Sequence, residues 1–269
     1  LVRIPTVFSS MSNAYAGWFI AGGGGLEPAL FLGIAAAALF IMAGMALNDV
    51  ADAEVDARER PSRPIPSGAV SLGGAWALSL SMMAAGLVLL WLANPLALVV
   101  GILLCLAIFA YNFLLKSTFL GPAAMGLCRL LNLLTGMSLA WTGLSDGLYL
   151  ADSALWALFS LWAYIALVTF LARDEVQGNA RWKARLFLLG VTAWFMAWSA
   201  SIWLVLAPGR SLTVAALALV WLAHVLFLMG PLRGLSRDPS PRNTGRTVGA
   251  MLRAVPFADV MAMLAAGAP

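Results

Sequence analysis

The sequence predicts an all-α, polytopic membrane protein, and three observations carry that prediction. Apolar residues make up 62% of the 269 residues and charged residues only 10%. An ordinary soluble domain has roughly 45–50% apolar and about 25% charged residues. The apolar residues gather in runs of about 20, the length a helix needs to cross the hydrocarbon core. The runs are continuous rather than alternating, which excludes a β-barrel, the other fold that satisfies its backbone inside lipid.

Nine segments follow in order. The first, 7–21, comes after Arg3, and its Ser9, Ser10, Ser12 and Asn13 set it apart from the apolar core of a signal peptide. The second, 29–47, begins after the glycines at 22–25. Asn94-Pro95 separates the third, 75–93, from the fourth, 96–115. The fifth, 121–143, opens on Gly121-Pro122, and the sixth is 152–172. The seventh, 185–206, stops before Pro208-Gly209; the eighth, 212–230, stops at Pro231; the ninth is 247–268.

Charge tests the count. Nine helices put the N-terminus and the connections after helices two, four, six and eight on one side. That side receives Arg3, Arg58, Arg60, Arg63, Lys116, Arg173, Arg181, Lys183, Arg185, Arg233, Arg237, Arg242 and Arg246, thirteen basic residues against Arg210 alone on the other. Arg129 and Arg253 fall inside helices. The positive-inside rule makes the basic side cytoplasmic. The basic balance therefore reports topology rather than nucleic-acid binding. Cys105 and Cys128 lie in apolar runs without metal-ligand spacing and read as small buried hydrophobes.

Five of the twelve acidic residues lie within 48–68, NDVADAEVDARERPSRPIPSG. If helix two continues past Asn48, then at about 100° per residue Asn48, Asp49, Asp52 and Asp56 share one face and Glu54 points elsewhere. Carboxylates this close repel one another unless cations neutralise them. Hard oxygen donors at this density suit Mg2+, which commonly bridges carboxylates to substrate phosphates. A solvated helix end paired with Arg58, Arg60 and Arg63 is the alternative. The three prolines that follow stiffen a loop carrying Arg60 and Arg63, and arginine suits bidentate phosphate recognition. Acidic face and basic loop together read as a site for a metal-bound polyphosphate.

This stretch resembles the first signature of the UbiA superfamily of intramembrane prenyltransferases, NDxxDxxxD followed by an RPIPSG-like loop. YNFLLKSTFLGPAAMGLCRLLNLLTG, 111–136, is similar to the family's Tyr-x-x-x-Leu-Lys at the end of helix four and its glycine-rich helix five with Arg and Asn. LVRIPTVFSSMSNAYAG resembles helix one, particularly in the EboC-like branch. The resemblance implies nine helices in a bundle around a central cavity, in a single transmembrane domain over 1–269. It implies Mg2+-dependent transfer of a prenyl group from a prenyl diphosphate to a lipophilic or aromatic acceptor, at the cytoplasmic side of the membrane.

The family's second acidic motif, often DxEDxxGD, is incomplete here. Asp174, Glu175 and Gly178 fit it, while Ala172 and Asn179 stand where aspartates are usual. A non-catalytic or transport-type lipid-binding protein on the same fold is therefore the alternative function. A CDP-alcohol phosphotransferase is disfavoured, because Asp146-Gly147 lacks the rest of that signature.

The residues so implicated are Asn48, Asp49, Asp52, Asp56, Asp174 and Glu175 for metal, and Asn48, Arg58, Arg63, Lys116, Arg129, Asn132 and Asn13 for the diphosphate. Asp52, Asp56, Lys116 and Tyr111 are implied in catalysis. Lys116 also fits a snorkelling anchor, and Tyr111 an interfacial aromatic. Arg129 and Asn132, inside an apolar run, are functional candidates by default. His224, the only histidine, reads as structural.

Overall fold

The computed structural model describes residues 4–141, 143, 152–173, 180–204 and 211–267. Among them are ten helices: α1 Ile4–Ile20, α2 Pro28–Ala51, α3 Ala53–Glu59, α4 Leu72–Ala93, α5 Pro95–Ala110, α6 Gly121–Leu139, α7 Asp152–Ala172, α8 Arg181–Leu204, α9 Ser211–Arg237 and α10 Pro241–Ala266. The described residues contain no strand. α2, α4, α5 with its following turn, α7, α9 and α10 supply six helices long and apolar enough to cross a membrane. α1 has 17 residues, α6 carries Arg129 and Asn132, and α8 begins with Arg181, Lys183 and Arg185.

The start signals act as expected. Pro28, Pro95, Pro122 and Pro241 sit in first turns, where proline has no hydrogen bond to forfeit. The Ser71 hydroxyl accepts from Gly74 N and caps α4. Asn94 ends α4 and starts α5: its Oδ1 accepts from Leu96 N at 2.8 Å, while its Nδ2 donates to Trp141 O at 2.9 Å and Leu139 O at 3.3 Å. One side chain thus ties the α4–α5 turn to the end of α6. Asn94→Ala removes cap and tie together, with an expected loss of about 1–2 kcal/mol, read as a lower thermal midpoint in detergent.

Two boundaries differ most from the sequence expectation. Pro231 does not end the eighth helix; α9 runs through it to Arg237, and the Thr247 hydroxyl donates to Pro231 O at 3.1 Å. α10 begins at Pro241, six residues before its apolar run, because its polar first turns remain helical.

Helices α1 and α6 join two apolar cores. One core takes side chains from α1, α2, α4, α5 and α6; the other takes them from α1, α6, α7, α8, α9 and α10. α1 packs on α2, α6 and α10, and α7 packs on α6, α8 and α10. Large apolar side chains such as Phe31, Trp91, Leu106, Phe159 and Leu219 are exposed on the outside, as expected where lipid is the solvent. Cys105 and Cys128 are buried and unbridged. His224 is buried among Trp194, Phe195 and Phe257, in keeping with a packing role.

Candidate active site at the mouth of an apolar cavity

A cavity of about 290 Å3 lies between α1, α2, α5, α6, α7 and α10. Its wall is mostly apolar, with Phe40, Ile108 and Val168 among the lining residues. Asn48, Asp49, Tyr111, Asn112, Arg129 and Asn132 interrupt it, together with the hydroxyl residues Thr6, Ser10 and Thr169. A largely apolar chamber with few polar groups is the form that small-molecule sites take.

The acidic stretch does not continue as one straight helix. α2 ends at Ala51, and Asp52 sits at φ −92°, ψ 1° before α3 resumes at Ala53. The break is one residue long, since Asp52 N still donates to Asn48 O and Asp56 N to Asp52 O, and two cations divide the carboxylates between them. Lys116 Nζ pairs with Asp52 Oδ2 and donates to Asn48 Oδ1 at 2.9 Å, and Asn48 Nδ2 donates to Asp52 Oδ2 at 3.1 Å. Arg63 Nη1 donates to Asp56 Oδ2 at 2.7 Å and Asp49 Oδ1 at 3.4 Å. The proline-rich loop folds back to make this possible: Ser67 N donates to Arg63 O, Val70 N donates to Pro64 O, and Gly68 turns with φ 77°. Arg58, on the last turn of α3, is exposed.

Asp56 is 4% exposed and pairs with Arg63. Arg63→Ala leaves a buried carboxylate uncompensated and is expected to cost about 3 kcal/mol. The Asp56→Ala, Arg63→Ala double variant recovers part of that loss. Thermal unfolding of the detergent-solubilised protein measures both, and no recovery would show that the pair is not the cause.

Lys116 reaches Asp52 because α5 widens at its end. Tyr111–Leu115 form a π-type turn, with Lys116 N donating to Tyr111 O at 2.8 Å. Such turns often mark functional sites. This one sets Tyr111 and Asn112 into the cavity wall. Arg173, at the end of α7, donates to Ser117 O at 3.0 Å. The ends of α2, α5 and α7 therefore meet around the carboxylates. Asp174 and Glu175 lie outside the described residues.

Arg129 and Asn132 line the same cavity, whereas Asn13 is fully buried behind its wall. Arg129 Nη1 donates to Asn13 Oδ1 at 3.4 Å, and Asn132 Nδ2 donates to Ser10 O at 2.9 Å. Asn13 Nδ2 donates to Asp259 Oδ1 and Oδ2 at 2.8 and 3.0 Å, and the Ser12 hydroxyl donates to Oδ2 at 2.5 Å. The sequence reading did not single out Asp259 or Asn112. A lone aspartate in the last apolar run was the available signal for the first; Asn112 has none beyond adjacency to Tyr111.

The described residues thus form an all-helical bundle with membrane-length apolar helices, whose cavity mouth gathers carboxylates, an amide and two cations. The UbiA prenyltransferase family model matches residues 10–244, and the chain belongs to that family.

Among its relatives, a digeranylgeranylglyceryl phosphate synthase of Metallosphaera sedula is 39% identical over 119 residues, 44% of this chain and 42% of that protein. Its counterpart in Sulfurisphaera tokodaii is 29% identical over 66% of this chain and 61% of its own length. The chain thus spans less than two thirds of these two relatives. The Methanoculleus marisnigri enzyme of the same name is 30% identical over 83% of this chain and 81% of that protein.

Two solved structures show the same fold. A UbiA homolog from Aeropyrum pernix K1 has TM-score 0.71 at 21% identity over 97% of this chain and 98% of that one. A UbiA homolog from Archaeoglobus fulgidus bound to GPP and Mg2+ has TM-score 0.64 at 13% identity over 95% of each.

Proposed function

We propose that this chain transfers a prenyl group from a prenyl diphosphate to a lipophilic or aromatic acceptor inside the membrane, with Mg2+ as cofactor. The observation that carries the reading is the linked trio Asn48, Asp52 and Lys116, with Asn48 lining an apolar cavity. In this reading residues 1–269 form one transmembrane domain and all nine long helices cross the bilayer around the cavity. The polar residues of α1 and α6 that lower their hydropathy, Ser10, Asn13, Arg129 and Asn132, are buried in protein rather than turned to lipid. Arg63, Lys116 and Arg173 gather at one end of the bundle, which the charge bias makes cytoplasmic.

The residues present fit Mg2+. Among the described residues no three His, Cys, Asp or Glu side chains form a metal cage. Mg2+ needs no such cage, since one or two carboxylates, water and substrate phosphates usually hold it. Asn48, Asp49, Asp52 and Asp56 would supply its oxygen donors, with Asp174 and Glu175 assigned to the same task. Bound there, Mg2+ would neutralise the diphosphate and improve it as a leaving group.

Arg63 and Lys116 place positive charge where diphosphate oxygens develop negative charge. The bond between prenyl C1 and oxygen breaks, and its electron pair leaves with pyrophosphate. The apolar wall keeps water from the allylic cation, and the Tyr111 ring offers it a negative face. The acceptor nucleophile attacks C1 and loses a proton. Binding chiefly positions the reactants.

Incubating the purified chain with labelled prenyl diphosphates and a panel of acceptors tests the reading. Pyrophosphate release is expected with Mg2+, is abolished by EDTA and returns when Mg2+ is restored. A transport or lipid-binding protein would bind the diphosphate without releasing pyrophosphate. Failure of release under every combination would sink the enzymatic reading.

A further inference from the structure

A second cavity, of about 170 Å3, lies between the start of α8 and the end of α9 and shares no lining residue with the first. Arg181, Arg185 and Arg237 line it, together with apolar residues that include Leu188 and Leu235. Arg181 opens α8, Arg185 follows one turn on at the same face, and Arg237 closes α9. Among the described residues none of these three arginines has an ion pair or a side-chain hydrogen bond. Ser236 also lines the cavity, but its hydroxyl donates to Arg233 O at 2.8 Å. The carboxylate of Asp238, next in sequence to Arg237, accepts from Asn243 Nδ2 at 3.4 Å. Lys183 is buried on another face of α8, over the Phe170 ring.

Like charges around one small cavity repel one another unless an anion joins them. The positive end of the α8 dipole and the negative end of the α9 dipole meet here and offset each other, so the arginines set the potential. Their chemistry narrows the anion, since a guanidinium is a planar fork that matches phosphate oxygens. Volume narrows it further. Sites that enclose a whole small molecule begin near about 300 Å3, so this cavity takes a phosphate-sized head and leaves the rest of the ligand outside. Membrane topology asks only for basic residues on this side, not for their convergence: Arg242 and Arg246 are exposed on α10 and do not line the cavity. The surface beside the cavity is apolar. Trp182, Leu186 and Leu189 are exposed on α8, each one residue past Arg181, Arg185 and Leu188, hence about 100° round the helix from the cavity stripe. A tryptophan at a helix end suits the headgroup level, and the two leucines further along α8 offer the surface that acyl chains cover.

We propose that Arg181, Arg185 and Arg237 form a site for an anionic phospholipid, its phosphodiester on the three guanidinium groups and its acyl chains along Leu186 and Leu189. A zwitterionic lipid fits less well, because its ammonium group would join three positive charges. The bound lipid ties the start of α8 to the end of α9 and stabilises the native bundle, the only state that brings the three arginines together. The site stands apart from the transferase reading and does not depend on it.

Native mass spectrometry and thermal unfolding of the intact chain in a neutral detergent test the site. Dioleoyl phosphatidylglycerol is expected to bind about tenfold tighter than dioleoyl phosphatidylcholine and to raise the thermal midpoint, given the attraction of each arginine for anionic lipid. The Arg181→Gln, Arg185→Gln double variant should abolish that preference. The Arg242→Gln, Arg246→Gln double variant removes the same charge elsewhere on the same side and should keep it. Equal binding of the two lipids by the parent chain overturns the proposal, and so does a preference that survives the first pair of changes or is lost with the second. Inorganic phosphate and glycerol 3-phosphate separate a lipid from a free anion. If either raises the midpoint as much as phosphatidylglycerol does at equal concentration, the cavity belongs to a free phosphate and the lipid site is overturned. A phosphatidylglycerol with a photoreactive acyl chain needs no variant: crosslinks are expected within 182–189, and crosslinks confined to other helices overturn the proposal.

Discussion

Asp52→Asn is expected to lower the proposed prenyl transfer by about 10²–10³-fold, the usual cost of removing one preorganised charge interaction at a reacting centre. Asp52 is the carboxylate where three interactions meet: the ion pair with Lys116, the hydrogen bond from Asn48, and the hinge between α2 and α3. The amide keeps the shape and an oxygen for Asn48, so the backbone turn survives. On the proposed function the variant loses an anionic donor for Mg2+, and it leaves Lys116 without its counter-charge. Asp52 and Lys116 side chains are about a third exposed, 28% and 30%, so the pair adds little to stability. The variant should therefore unfold near the parent temperature while its pyrophosphate release collapses. Retention of activity within about threefold of the parent would remove Asp52 from the chemistry, since a preorganised charge is worth far more than that.

This site was legible in sequence because its parts are local or lie at helix ends. Asn48 and Asp52 are one turn apart, and Lys116 ends an apolar run. Charges at the tips of spanning segments stand out against a composition with 10% charged residues. The break at Asp52 was not legible: no glycine or proline marks it, and the acidic pattern reads as a continuous helix. The division of carboxylates between Lys116 and Arg63 depends on how the proline loop folds back, which spacing does not encode. Asp259 is the larger omission. Its partners Ser12 and Asn13 lie 247 and 246 residues away, and only packing of α10 on α1 brings them together. Pro231 misled for a related reason: a proline is a breaker on average, yet α9 continues through it because packing against α10 outweighs one lost hydrogen bond.

The crossing of α1 and α6 supports the second large expected effect. Gly136→Val is expected to prevent recovery of folded, monodisperse protein, or to lower stability by more than about 3 kcal/mol, beyond the ordinary range for overpacking. A Cβ on Gly136 would lie on the Ala14 carbonyl oxygen and 2.8 Å from Ala14 C and Cα. A Cβ on Gly17 would lie on Leu133 O and 2.7 Å from Met137 N. Each glycine thus faces the other helix's backbone, and no rotamer change relieves a clash with backbone. Small residues at such points let helices in lipid approach closely enough for dispersion and hydrogen bonds to hold them. The same approach sets Asn13 against Arg129 and Ser10 against Asn132, so the crossing controls the cavity wall as well as the packing. Gly73→Val is the comparison, because a Cβ there meets nothing within 4 Å; it should lose only about 1 kcal/mol or less, as surface changes do. Size-exclusion profiles and thermal midpoints in one detergent read both variants. Comparable stability of the two would mean that α1 and α6 do not touch at these glycines, and the placement of Asn13 beside Arg129 would fail with it.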